Sequence, residues 1–173
     1  AQSAAAAHPE PAGPAEQPWW QALLQRGWDV VRDEARGLLR VSRIDQPEAM
    51  LVLDQRFPSL HWLVVGPDEG GMVEHIRSVA RRLGERLHFQ GFTREPEAYM
   101  ATADIFCLPS YREGFGSSVL EAAAVGVPSV ATRIYGLTDA GEDGVSGLLV
   151  PPANGSELTG ALRRLIEDGA LRA

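Results

Sequence analysis

The stretch "REGFGSSVLE" sets two carboxylates, Glu113 and Glu121, around a Gly-Phe-Gly turn, two serines and the start of an apolar run. One chemistry open to a pair of acids is glycoside hydrolysis. A retaining hydrolase holds its carboxyls about 5 Å apart, whereas eight helical residues span about 12 Å. Glu113 precedes the helix and could fold back, but the spacing speaks against hydrolysis. The other chemistry is recognition, because ionised carboxylates accept hydrogen bonds from hydroxyls.

The rest of the stretch suits phosphate. The first turn of a helix has backbone N–H groups without partners, and the macrodipole makes that end positive. A helix start at the ligand edge of a sheet is therefore a natural phosphate site. Gly114 and Gly116 let the backbone come close where a side chain would collide. A ligand with a central diphosphate, a ribose on one side and a sugar on the other would use every part, and that ligand is a nucleotide sugar. A purely structural alternative exists: Ser117 or Ser118 as N-cap, with Glu121 as the acid of a capping box. No G-x-G-x-x-G follows the first strand, so this is not the dinucleotide fingerprint.

From residue 37 onward strands and helices alternate. "GLLRVS" (37–42), "HWLVVG" (61–66), "LHFQG" (87–91), "DIFCLPS" (104–110), "PSVAT" (128–132) and "GLLV" (147–150) read as strands. Helices are expected over 47–57, 72–84, 95–103, 117–126 and 156–168. Val73, Ile76, Val79, Ala80 and Leu83 line one face of the second, with Gly84 stopping it. Asn154 or Ser156 can cap the last. Short, nearly continuous apolar strands alternating with helices indicate an α/β fold with a Rossmann-like parallel sheet covered on both faces. Ligands of such sheets collect outside the carboxyl ends of the strands. The loops 66–71, 111–118 and 132–144 fall there.

Upstream the character changes. Residues 1–18 hold alanine, polar residues and four prolines, Pro9, Pro11, Pro14 and Pro18, and read as a disordered tail. Residues 19–36 carry Trp20, Leu23, Leu24, Trp28 and Val31 near helical spacing. They read as an amphipathic segment, either packed on the domain or left over from a missing partner. Residues 37–173 are the expected domain.

Composition removes several classes. The net charge is -7 and no basic stripe interleaves with aromatics, which argues against nucleic acid. No apolar run is long enough to cross a bilayer, and "AQSAAAAH" lacks the features of a signal peptide. Cys107, the single cysteine, lies in the apolar run "ADIFCLP" and reads as a core residue rather than a reactive thiol. The chain reads as cytoplasmic, with a peripheral place at the inner face of a membrane as a variant. All 16 basic residues are arginine, so no lysine is present for any site.

"EGFGSSVLEAAAVGVPSVAT", with its Glu-x7-Glu spacing, closely resembles the donor segment of retaining GT-B glycosyltransferases of family 4, the glycosyl transferases group 1. The resemblance extends upstream through "WLVVGPDEGG", "LHFQGFT" and "YMATADIFCLPSYREG", and downstream through "GLTDAGEDGVSGLLVPPANGSELTGAL", over roughly residues 37–168. It implies the C-terminal, donor-binding half of a two-domain enzyme that moves a sugar from a nucleotide diphosphate to an acceptor. The donor would be a UDP-sugar, or else a GDP-sugar, and no metal is implied. Glu113 would hold sugar hydroxyls. Gly114, Phe115, Gly116 and Ser117 would line the sugar and diphosphate. The backbone at Ser118 and Val119 would meet phosphate, Glu121 the ribose, and Gly91 and Phe92 the base. For Phe92, anchoring its loop to the core is an equal alternative.

The chain also departs from that pattern. The family's first strand leads to an arginine and then a lysine, both on the diphosphate. Here "VSRIDQPEA" offers Arg43 alone, and the segment is short. Arg133 could replace the second cation or be an ordinary loop arginine. An acceptor-binding domain is missing from residues 1–36, so a separate domain or subunit is expected to supply it. The competing reading is a non-catalytic binding or interaction module derived from such an enzyme. A GT-B epimerase or phosphorylase fits the "EGFGSSVLE" loop less well.

Overall fold

The computed structural model describes the backbone of residues 38–41 and, in full, residues 48–68 and 71–173. The expected tail, the amphipathic segment and Arg43 lie outside the described residues. The elements run β1 (Leu38–Val41), α1 (Glu48–Arg56), β2 (His61–Val64), α2 (Met72–Val79), a 3-10 turn (Arg81–Arg86), β3 (Leu87–Phe89), α3 (Pro96–Met100), β4 (Ile105–Leu108), α4 (Ser117–Ala124), β5 (Ser129–Thr132), β6 (Gly147–Val150), α5 (Gly155–Glu167) and α6 (Gly169–Arg172). The six strands form one sheet in the order β3-β2-β1-β4-β5-β6, every pair parallel. The expected α/β sheet with helices on both faces is what the chain builds.

Strand periodicity divides the core in two. Ile105 and Cys107 of β4 face one side of the sheet, with Met50 and Leu53 of α1, Ile76 of α2, and Leu158, Leu162 and Leu165 of α5. Phe106 and Leu108 face the other, with Met100 of α3 and Val119 and Ala122 of α4. All four residues of β4 and of β5 are buried, as a central parallel strand requires. Cys107 is one of them, and burial pushes its thiol up to about 12. It is a core side chain.

Two local expectations change. The helix expected over 72–84 ends at Val79, and the chain tightens into the 3-10 turn. That turn keeps Leu83 in the core beside Ile76 and Ala80. Gly84 (φ 55, ψ -126) then turns the chain toward β3. At α4 the N-cap is Gly116, and no side chain caps the helix. Neither Ser117 nor Ser118 plays that part, and the third helical residue is Val119, not Glu121, so the capping box is absent. At α5 the cap is Asn154, whose side chain accepts from the Glu157 N–H at 3.1 Å.

The loop before α4 is pinned by backbone. Gly116 N–H donates to Gly136 O at 3.1 Å. Gly136 has φ 86, and a Cβ there would lie 2.8 Å from both Glu113 O and Gly114 O. A Cβ at Gly116 would sit 2.5 Å from Leu137 Cδ2. The turn after β5 thus fixes the path of residues 113–116, and only a residue without a side chain fits at its closest point.

At the other side of the sheet, His61 Nδ1 and His88 Nε2 lie 3.0 Å apart, with the rings stacked at 5.4 Å between centroids. Burial pushes the His88 imidazole below its ordinary value. On acidification the unfolded chain therefore takes up this proton first. Stability from this group is full above about pH 6.5 and is lost as pH falls toward the folded value.

Two outcomes are expected. Gly136→Ala should destabilise the fold by about 1–3 kcal/mol through strain and overpacking, read as a lower urea midpoint. Gly114→Ala, whose Cβ would meet nothing within 4 Å, should stay within about 0.5 kcal/mol of the parent. For His88, the urea midpoint should fall between about pH 7.5 and 5.5, and His88→Gln should flatten that fall. Equal pH dependence in parent and variant would remove His88 as its source.

Candidate functional site

β1 and β4 are neighbours in the sheet, yet their chains leave in opposite directions. α1 follows β1 onto one face, and α4 follows β4 onto the other. The carboxyl ends of β1 and β4 therefore flank the point where the strand order reverses, which is where open α/β sheets hold ligands. The loop 109–116 leaves β4 at this point and delivers α4 with its amino end at the same edge.

Of the residues expected to bind ligand, those from Glu113 to Glu121 lie on this loop and helix. Glu113 is half-buried, and its Oε1 accepts from Ser110 Oγ at 2.6 Å. Gly114, Phe115 and Ser117 are exposed, Gly116 is buried and Ser118 lies between. At the start of α4, Ser117 N–H donates to Phe115 O at 2.7 Å and Val119 N–H to Gly116 O at 2.9 Å. The hydrogen bonds of the described residues include none from the Ser118 N–H. With no side-chain cap, the amino end of α4 keeps its positive potential at the open edge. Val119 anchors the helix instead through its buried side chain.

Glu121 is exposed on α4, one turn beyond Ser117 and on the same helix face. Long helical side chains lean toward the N-terminus, which directs the Glu121 carboxylate toward the Ser117 end. An anion-seeking helix start thus lies between two acids, Glu113 before it and Glu121 along it.

Gly91 and Phe92 follow β3, three strands from β4 on the β1 side. Gly91 O accepts from Gly66 N–H at 3.1 Å, tying the loops after β2 and β3 together. Phe92 is 73% exposed. It does not anchor its loop to the core, so that alternative falls. Phe115 and Tyr135 are also exposed, in the loops after β4 and β5.

Arg133 is already engaged. Its guanidinium reaches Asp143 Oδ2 at 2.5 Å and donates to Leu149 O at 3.0 Å. The Leu149 N–H and then Arg133 hold the Asp143 carboxyl below the usual carboxylate range. Arg133 thus braces the ends of β5 and β6, as an ordinary loop arginine can.

Sequence reasoning missed Ser110 and Thr132, two buried hydroxyls at the ends of β4 and β5. Thr132 Oγ1 donates to Ser110 O, and Ser110 donates to Glu113. The available signal was a polar residue closing each apolar strand, "CLPS" and "VAT". A separate groove of about 800 Å³ lies between α1 and α5, lined in part by Val52, Thr159 and Arg163. It meets the β4 loop only at Tyr111. Among the described residues no helix is long and apolar enough to cross a membrane, and no group of three or more His, Cys, Asp or Glu could hold a metal ion.

Comparison with known proteins agrees with this geometry. The family described as "Glycosyl transferases group 1" matches residues 37–168. A D-inositol 3-phosphate glycosyltransferase of Nocardiopsis dassonvillei is 37% identical over 149 residues, covering 78% of this chain and 35% of its own. The O-antigen biosynthesis glycosyltransferase WclY of Escherichia coli is 46% identical over 55 residues, covering 32% of this chain and 16% of its own. The chain spans about a quarter to a third of the length of the inositol-phosphate relatives it matches. Among solved structures, Anabaena HepE in complex with UDP and glucose superposes with a TM-score of 0.73 at 25% identity, over 91% of this chain and 45% of that one. The C-terminal domain of the Francisella tularensis protein LpcC has a TM-score of 0.72 at 24% identity, over 86% and 84% of the two chains. With the family match running through nearly all of the described fold, the chain belongs to the glycosyl transferases group 1 family.

Proposed function

We propose that this chain is the donor-binding half of a retaining hexosyltransferase and that the donor is a UDP-sugar. The observation that carries the reading is the uncapped amino end of α4 at the β1/β4 reversal, between Glu113 and Glu121. The diphosphate sits against that helix end, where backbone N–H groups and the macrodipole favour an anion. The Ser118 amide is the available donor there. Glu121 accepts from ribose hydroxyls and Glu113 from sugar hydroxyls. Phe92, exposed after β3, stacks on the base. UDP is favoured over GDP because structural neighbours contain UDP or UDP-glucose.

In transfer, the bond from the anomeric carbon to the diphosphate breaks, and negative charge grows on the leaving oxygens. The amino end of α4 is aimed where that charge appears, so its help increases toward the transition state. Arg43 is the cation assigned to the same diphosphate. An acceptor-binding domain or subunit completes the site on the far side of the sugar. The binding-module alternative draws support from two observations: the chain has no lysine, and Arg133 is held by Asp143. It shares the donor site and differs only in turnover.

Calorimetric titration with UDP and UDP-glucose tests the reading. Hydrogen bonds to charged groups contribute about 1.5–3 kcal/mol, or about ten- to a hundredfold in affinity. Glu121→Ala should weaken both ligands by that factor. Glu113→Ala should weaken UDP-glucose and leave UDP nearly unchanged. If neither ligand binds the parent chain at millimolar concentration, the donor assignment fails. Release of UDP when the chain is mixed with an acceptor-binding partner separates transferase from binding module.

A further inference from the structure

We infer that Ser110 is a positioning residue for Glu113, and that it sets how the chain discriminates a nucleotide sugar from the bare nucleotide. This rests on the donor reading above.

Ser110 is 1% exposed and Thr132 is 2% exposed, and both lie at the carboxyl edge of the sheet beside the β4 loop. A buried hydroxyl is unfavourable unless it is hydrogen-bonded. Here both are bonded, and the bonds run in one direction. Thr132 Oγ1 donates to the Ser110 carbonyl, and Ser110 Oγ donates to Glu113 Oε1 at 2.6 Å. β4 and β5 are adjacent, paired at Leu108 and Ala131. Thr132 therefore ties the chain just past β4 to the end of β5.

A serine hydroxyl has one proton. Spending it on Glu113 leaves that carboxylate with Oε1 occupied and Oε2 free for a ligand. The 2.6 Å separation falls in the range of charge-assisted O–H···O bonds. A free glutamate samples many rotamers, and fixing one is entropically unfavourable. Ser110 fixes it before the sugar arrives, so less freedom is lost on binding. The fold supplies a rigid base for this arrangement, since the backbone at Glu113 and Gly114 already abuts Gly136. The nucleotide side of the site, at the start of α4 and Glu121, makes no use of Ser110.

The experiment measures affinities of the full chain for UDP, UDP-glucose, UDP-galactose and UDP-N-acetylglucosamine, in the parent, Ser110→Ala, Ser110→Thr, Glu113→Ala and the Ser110→Ala/Glu113→Ala double variant. The preference for the best-bound UDP-sugar over UDP should drop about three- to tenfold in Ser110→Ala, with UDP affinity retained. Ser110→Thr, which keeps the hydroxyl, should restore it. Should threonine not fit, Thr132→Val removes the upstream tether and should lower the same ratio. In the Glu113→Ala background Ser110→Ala should have no further effect on that ratio. A parent chain that binds no UDP-sugar more tightly than UDP overturns the donor reading together with this inference. A parent that discriminates while Ser110→Ala keeps the full ratio overturns the inference alone. So does an equal loss of UDP and UDP-sugar, which marks Ser110 as merely structural.

Discussion

Parallel strands cannot be joined by a tight turn, so each connection must leave the sheet, cross one face and return. With right-handed crossovers, walking from β1 toward β3 puts α1 and α2 on one face, and walking from β4 to β5 puts α4 on the other. Between β1 and β4 the connections part. No crossover covers the carboxyl ends there, and a cleft follows from connectivity alone. Glu113, the start of α4 and Glu121 stand around that parting. Moving β4 to any other place in the order would leave Glu113 and the start of α4 without an opening to face.

A cleft is useful only if the groups on its rim are held. The loop before α4 carries two glycines and would be pliable on its own. It is held from outside, by the turn after β5. Gly136 approaches the Glu113 and Gly114 carbonyls so closely that a methyl group would not fit, and Gly116 N–H bonds to Gly136 O. Thr132 fixes the same loop from the strand side through Ser110. The burial of Val119 and Ala122 secures α4 behind it. The flexible composition of "REGFGSS" thus becomes a rigid surface by packing.

The sheet, its helices and the edge that carries the site were legible in the sequence because they rest on period and punctuation. "DIFCLPS" is a short apolar run bounded by turn residues, as a buried strand is, and Gly126 closes α4 with φ 76 as a helix-ending glycine does. What stayed hidden depends on distance in space. Serine is a good N-cap by propensity, but the cap fell on Gly116 because that residue must pass against Leu137 and Gly136. Gly84 signalled an ending, but not that α2 would end five residues earlier, at Val79, to keep Leu83 inside. Arg133 offered charge in the right loop, and only the fold shows Asp143, ten residues on, already holding it. Ser110 and Thr132 sit 22 residues apart, and no local pattern links them.

The electrostatics of the edge bear on how the proposed transfer is shared between halves. The described part of the site offers an anion the amino end of α4, while Arg133 is neutralised by a carboxylate. Ser117 and Glu121 are exposed, so at this open edge water screens that attraction and competes for the same donors. The interaction of unit charges 4 Å apart grows from about 1 kcal/mol in water to about 4 kcal/mol at an effective dielectric of 20. A surface that closes over the edge would strengthen the helix-end interaction with no change in the groups involved. On the proposed reading the donor half supplies recognition by itself, through carboxylates that need only hydroxyls in reach. On the same reading, stabilisation of the departing diphosphate belongs to the closed site. That division fits a chain whose Glu113 loop is held by packing and whose Arg133 is paired with Asp143.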